Sequence, residues 1–318
     1  MPCIIQYIDN DFFKMNILWI KDNNIGHEKQ VKVLLDELSK NKELNIDERT
    51  VKGFFPFFRY IDDVKEKYYD IIIGAGHKTY PFLIDVKRNQ KPQTKNIAIL
   101  SPSFRKNKFD IICAPFHDKN KLKGCKNLIL FEGSLSKVSL SEPDQKVVMI
   151  AIGGKNKHYE FNEIDIVSQI NYFISLHPDK DCYIFNSRRT PSSMNTMLKN
   201  LSVSNKDIIF CDIKDKSYSF ENILHKSSSK LITRDSVNMI YESLSSKGKT
   251  YLIDMHHIKN NNKVVQIINN LILNKKIGYI ERGDISEGIS KMKLNKQNIY
   301  NEVFAEVEKV SYELNKLI

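Results

Sequence analysis

The sequence predicts an α/β protein built from two successive domains, each an open, doubly wound parallel sheet. Three observations predict it. Short apolar runs alternate with stretches of helical periodicity almost from end to end of the 318 residues, the signature of repeated βα units. The runs, such as Val147–Ile152, contain few alternating polar residues, which suits strands covered on both faces. A polar turn at Ser141-Glu142-Pro143-Asp144 breaks the pattern once, dividing the chain into domains 1–141 and 142–318.

In chain order, Asn16–Ile20 is a strand, followed by an amphipathic helix over His27–Ser39 with Val31, Leu34, Leu35 and Leu38 on one face. Asp70–Ile73 is a strand ending in Gly74-Ala75-Gly76, and a helix follows through Phe82, Leu83 and Val86. Asn96–Leu100, Asp110–Ala114 and Asn127–Phe131 complete the first sheet. The second begins with Lys146–Ile152, ends that strand in Gly153-Gly154, and continues with strands at Asp181–Phe185, Asp207–Cys211, Lys230–Ile232 and Thr250–Ile253. Helices at Asn162–Leu176, Ser192–Leu201, Ser236–Ser245 and Val264–Asn274 alternate with them. The segment Asn301–Leu317 repeats apolar residues at helical spacing, the pattern of a C-terminal helix that packs back on the body, the first domain included.

Composition removes several classes. Hydrophobic residues are 41% and charged residues 27%, enough for a packed core and unlike a disordered chain. The longest apolar runs are too short to span a bilayer. Asp9, Asn10 and Asp11 interrupt the N-terminus before any sustained apolar run, which argues against a secretory signal. Five dispersed cysteines without a C-x-x-C pair read as reduced thiols, neither a disulfide framework nor a zinc site. A cytoplasmic location follows as the expectation. Lys and Arg exceed Asp and Glu by 11, which favours anionic partners, although the surplus is mostly scattered Lys. The run Phe54-Phe55-Pro56-Phe57-Phe58-Arg59-Tyr60 is core plus a turn or an aromatic patch for a membrane interface. His256-His257 and His117-Asp118 lack a matching ligand cluster, so no metal site is expected.

Doubly wound sheets bind ligands beyond the carboxyl ends of their strands, so the candidate chemistry lies in the strand-to-helix loops, expected to converge on a cleft between the domains. Asp22-Asn23-Asn24-Ile25-Gly26-His27 opens the first helix, where free N–H groups suit an oxyanion and His27 can serve as a general base. Gly74-Ala75-Gly76-His77-Lys78-Thr79 fails both the P-loop and the G-x-G-x-x-G spacing, so ATP hydrolysis is not supported. Gly153-Gly154 with Lys155 and Lys157 offers close backbone approach and charge to a pyrophosphate. Arg188 or Arg189, before Pro191, can fork onto a phosphate. Asp235 or Ser236 can cap the next helix, and Glu242, six residues beyond Ser236, can accept ribose hydroxyls.

Taken together these blocks resemble the mitochondrial fission family whose plant founder is named for elongated mitochondria and which has many bacterial members. The likeness runs through Gly26-His27 with Gln30, Gly74-Ala75-Gly76, Ser101-Pro102-Ser103, Pro115 with His117-Asp118, Gly153-Gly154 with Lys157-His158-Tyr159, Ser187-Arg188-Arg189-Thr190-Pro191, and Asp235-Ser236 with Met239 and Glu242. Asn23-Asn24 departs from the expected Gly- or Pro-rich turn. That family is similar to B-type glycosyltransferases, two Rossmann-like domains facing across a cleft. The resemblance implies Gly26 and His27 at the acceptor and reaction centre, with His27 or Asp22 taking the acceptor proton. It implies Gly153, Gly154, Arg188, Asp235 and Ser236 at the donor phosphates and Glu242 at the ribose. Gly74, Gly76, His117, Lys157 and Arg189 complete the expected substrate-binding set. The implied activity is metal-independent transfer of a sugar from a nucleotide-sugar donor to a hydroxyl acceptor, lipid-linked or on lipopolysaccharide. No cofactor is expected beyond that donor substrate, and an anionic membrane surface, peripheral on the inner membrane, is a further expected partner. The alternative is a non-enzymatic adaptor that recruits a fission partner to a membrane. Nucleic-acid binding would need a continuous basic face, and the sequence carries no dedicated motif for it.

Overall fold

The computed structural model describes residues 14–52, 64, 67–215, 217–259, 262–286, 289–297 and 303–318. The aromatic run Phe54–Tyr60 lies outside them. The chain divides into two units, Met1–Leu135 with Glu306–Ile318 and Ser136–Ala305. Ser136–Leu140 belongs to the second unit, ahead of the sequence boundary at 141/142. Its backbone is tied there, with Ser139 N–H donating to Ser245 O at 2.9 Å.

Unit 1 is a six-stranded parallel sheet of β1 (Lys14–Lys21), β2 (Glu43–Thr50), β3 (Ile71–Ala75), β4 (Lys95–Ile99), β5 (Ile111–Pro115) and β6 (Leu128–Phe131), in the order β2-β1-β3-β4-β5-β6. Ile17, Leu18, Ile20, Ile72 and Ile73 are fully buried, as strands covered on both faces require. Helix α1 (Ile25–Leu38) starts at Asn24, whose side chain accepts the Gly26 N–H, and buries Val31, Leu34, Leu35 and Leu38. Helix α2 (Tyr80–Arg88) carries Pro81 in its first turn, where the missing N–H costs nothing.

Unit 2 is a seven-stranded sheet of β7 (Asp144–Ala151), β8 (Asp181–Phe185), β9 (Ile208–Cys211), β10 (Ser227–Ile232), β11 (Lys249–Leu252), β12 (Gly278–Ser286) and β13 (Ile289–Asn295), ordered β13-β12-β11-β10-β7-β8-β9. All neighbours are parallel except β12 and β13. Helices α3 (Glu163–Ser175), α4 (Ser192–Ser204), α5 (Phe220–Lys226), α6 (Val237–Leu244) and α7 (Lys263–Leu273) connect the strands. The C-terminal helix α8 (Glu306–Asn315) belongs to unit 1, where it packs on α1 and β6. Val307, Val310 and Leu314 are fully buried there, each stabilising by about 1.5–3 kcal/mol.

Three strands and a helix are absent from the sequence expectation. β2 reads Glu-Leu-Asn-Ile-Asp-Glu-Arg-Thr, an edge strand of mostly polar residues with none of its positions buried. β12 and β13 form a polar hairpin at one edge of the unit 2 sheet. Edge strands are half solvated and need no apolar run. α5 is only seven residues long, too short for its periodicity to stand out.

Candidate functional site

Strand order reverses once in each sheet, and the crevice outside the strands' carboxyl ends at such a switch is where open α/β sheets take ligands. In unit 1 the switch lies between β1 and β3, which carry the Asp22–His27 and Gly74–Gly76 loops. In unit 2 it lies between β7 and β10, which carry Gly153-Gly154 and Thr233–Ser236. Each cluster is thus assembled by the topology of its own sheet.

In unit 1, His27 Nδ1 lies 2.8 Å from Asp22 Oδ2, and Asp22 Oδ1 accepts the Asn24 N–H at 3.0 Å. The Asp22 side chain is 5% exposed and the His27 ring 28%. Burial raises the Asp22 carboxyl pKa, but the hydrogen bonds from His27 and the Asn24 N–H, with the charges of His27 and Lys78, outweigh it and hold the group below its ordinary value. An ionised carboxylate only accepts, so Nδ1 carries the proton and Nε2 is the basic nitrogen. Gly76 has φ +87°, and a Cβ there would stand 2.4 Å from His27 Nδ1 and 2.9 Å from Asp22 Oδ2. Gly76→Ala is therefore expected to cost about 1–3 kcal/mol and to break the His27–Asp22 bond. Thermal melts and the imidazole NMR resonances check this, and an unchanged ring environment would refute it.

Other expected residues take different places. Gly74 backs onto Ile20 O and Thr79, where a Cβ would come within 2.9–3.1 Å, so it serves strand packing. The Gly26 N–H is bonded to Asn24 Oδ1 at 3.0 Å, while its carbonyl accepts Gln30 Nε2 at 3.1 Å. His117 follows β5, two strands from the switch, with Nε2 3.8 Å from Asp118.

In unit 2 the glycine pair does not present its N–H groups to solvent. Gly153 N–H donates to Thr233 Oγ1 at 2.8 Å and Gly154 N–H to Asp235 Oδ2 at 3.0 Å. A Cβ on Gly153 would meet Asp235 Oδ1 at 2.1 Å, and one on Gly154 would meet Arg189 O at 2.0 Å. These glycines let the loops after β8 and β10 close onto β7, which corrects the expectation that they cradle a pyrophosphate. Ser187 Oγ and Thr190 Oγ1 complete the junction by donating to Gly153 O.

Asp235 is the hub of this junction. Its side chain is fully buried, and Arg189 donates to its Oδ2 at 2.8 Å. A carboxylate gives a phosphate no donor, so Asp235 acts by holding Arg189 and the Gly154 turn. Arg188 is exposed, and so is Lys157, in the bend that precedes His158. Ser236 is the backbone N-cap of α6 but its hydroxyl makes no capping bond, leaving the helix's first N–H groups for an anion. Glu242 is half-buried on α6.

Two residues received no role in the sequence argument. His158 Nδ1 lies 2.5 Å from Asn262 Nδ2, and burial together with the charges of Lys157 and Arg189 holds its pKa below the ordinary imidazole value. Arg234 is largely buried and pairs with Asp254 at 3.3 Å, while its Nε and the nearby Tyr159 hydroxyl are buried without a hydrogen-bond partner among the described residues. Only position flagged them: one follows the glycine pair, and the other precedes Asp235.

Two Rossmann-like units in one chain, each with a loop cluster at its switch point, define the architecture of B-type glycosyltransferases. The sequence profile of the family "Mitochondrial fission ELM1" matches residues 23–308, and the chain belongs to that family. Among curated proteins none matches it. The fold is similar to that of a Listeria monocytogenes protein assigned as a UDP-N-acetylglucosamine 2-epimerase, 10% identical over 80% of this chain and 82% of that one, with a TM-score of 0.53. It is similar to the UDP-GlcNAc 2-epimerase of Methanocaldococcus jannaschii, 12% identical over 95% of this chain and all of that one, with a TM-score of 0.52. It also matches the ADP-heptose lps heptosyltransferase II of E. coli at 10% identity over 95% and 98% of the two chains, with a TM-score of 0.48. At these identities the likeness is one of fold.

Proposed function

We propose that this protein transfers a sugar from a nucleotide-activated donor to an acceptor hydroxyl. The observation that carries the reading is the Asp22–His27 pair: a buried carboxylate 2.8 Å from the ring of a partly exposed imidazole, at the switch point of its sheet. In the proposed step Nε2 of His27 takes the proton of the acceptor hydroxyl as its oxygen bonds to the anomeric carbon. The bond from that carbon to the donor phosphate breaks, and the nucleoside diphosphate leaves with the negative charge. Arg188, Lys157 and the positive end of α6 stabilise that charge, the work a cation otherwise does. Asp235 keeps Arg189 in place, and Glu242 accepts the ribose hydroxyls. Two similarly folded proteins are named for UDP-GlcNAc, which makes a uridine nucleotide-sugar the first donor to try. The net charge of +11 favours an acceptor carried on an anionic lipid.

An adaptor needs neither a paired base nor an uncapped helix end over an arginine. Isothermal titration with a panel of nucleotides and nucleotide-sugars tests the reading. Binding by at least one is expected, and Arg188→Ala should weaken it by about tenfold, the loss of one charge-assisted contact. Folded protein that binds none of them would end the enzyme reading.

A further inference from the structure

At the ends of β5 and β6 opposite to those that carry the unit 1 switch-point loops, the chain forms a concavity of about 670 Å³, the size of an ordinary ligand pocket. Arg105, Lys106, Lys123 and Lys126 line it, with Phe104 at its rim, 39% exposed. Its carboxylate, Asp110, is already engaged, by Lys87 at 3.3 Å and the Asn96 N–H at 2.9 Å. Arg105, Lys123 and Lys126 pair with no carboxylate among the described residues. Residues 104–126 hold seven Lys or Arg against two Asp, so nearly half of the chain's surplus charge gathers in this short stretch. Like charges confined in a concavity repel one another, and an anion that neutralises them relieves that repulsion. The backbone is committed to the shape as well. Arg105 adopts φ 46° and ψ 39°, a left-handed conformation uncommon outside glycine. Gly124 has φ +86° and faces open space.

We propose that this pocket is a second binding site, for a phosphate group carried on a larger molecule, separate from the switch-point clusters and independent of the transferase reading. Arg105, Lys123 and Lys126 supply the charge, Ser103, Asn107 and Asn127 neutral polar contacts, and Phe104 an apolar surface for the attached group. The phosphate is that of a soluble phosphorylated compound or of a lipid headgroup.

Cys125 lines the pocket and is half-buried, whereas Cys113, Cys182 and Cys211 are buried. Its alkylation rate, followed peptide by peptide in the full chain, therefore reports occupancy of this pocket alone. Inorganic pyrophosphate, or vesicles of phosphatidylglycerol but not of phosphatidylcholine, should slow it about tenfold when present at about ten times the dissociation constant, and salt should reverse the protection. Protection by pyrophosphate identifies a soluble ligand, and protection by the anionic vesicles alone identifies a headgroup. Lys123→Gln with Lys126→Gln should abolish either effect, and Arg105→Gln should do so separately if the double variant melts early. Failure of both probes to protect Cys125, or equal protection in the variants, would overturn the site.

Discussion

His27→Ala, and separately Asp22→Asn, should lower turnover by about 10²- to 10⁴-fold, the usual contribution of a positioned general base, with nucleotide-sugar affinity unchanged. Removing His27 deletes the proton acceptor. Asp22→Asn keeps the shape but places an amide beside Nδ1. An amide can donate, so it no longer holds the Nδ1 proton, and the tautomer with its proton on Nε2 becomes accessible. In the proposed reading the donor is held by unit 2 residues, so its binding should survive both changes. Steady-state transfer, with the donor found by titration, measures the first quantity, and the titration itself measures the second. Turnover within about threefold of the parent would remove His27 from the chemistry, since a base worth so little falls outside that range. Stability carries a matching sign. Because the Asp22 pKa is held below its unfolded value of about 3.9, its stabilising contribution is complete above that pH. It is lost as pH falls through the native value. Asp22→Asn should therefore flatten the acid limb of the protein's stability curve.

Lys230→Met should lower the melting temperature of the protein by roughly 6–12 °C, from a loss of about 3 kcal/mol in a unit of this size. Lys230 sits on β10 with no exposed surface. Its Nζ donates to Ser243 O at 2.6 Å, Ser246 Oγ at 2.8 Å, Lys247 O at 2.9 Å and Ser246 O at 3.2 Å. Burial pushes its pKa down to about 7, while this cage of oxygens favours the ammonium, whose three N–H groups all find acceptors. Ser243 lies in the last turn of α6 and Ser246 and Lys247 follow it, so the ammonium sits at the negative pole of the helix whose other end is proposed to meet the donor phosphate. A buried ion pair can often be replaced by apolar side chains, but backbone carbonyls cannot be mutated away: Met deprives them of the ammonium, and Ser243 O keeps the longer bonds from Ser246 Oγ at 3.3 Å and Thr250 Oγ1 at 3.4 Å. The same change should weaken donor binding through the displaced helix. A melting temperature within about 2 °C of the parent, under 1 kcal/mol at this size, would show that the cage contributes little.

How far the sequence could be read follows from which interactions are local. β7 and α3 were legible because apolar runs and helical spacing record burial directly. So was the placement of candidate residues after strands, since Gly and Asn mark those turns. β2 and the β12–β13 hairpin were not, because an edge strand is held by hydrogen bonds to its neighbour and can be polar along its length. Asp22 and His27 lie five residues apart, near enough for spacing to suggest a pair. Gly153, Arg189 and Asp235 are separated by dozens of residues, and spacing alone could not say that the glycine N–H groups would be consumed inside the protein.

The alternation of strands and helices, the two-sheet class and the loops that carry polar side chains were thus determined by the sequence, through hydrophobic period and turn chemistry. The tertiary structure alone decided that Asp235 is buried among Gly154 and Arg189, and that Lys230 closes α6. The physical reason is that burial partners and hydrogen-bond acceptors are chosen across long separations in the chain, where only the folded packing brings donor and acceptor within 3 Å.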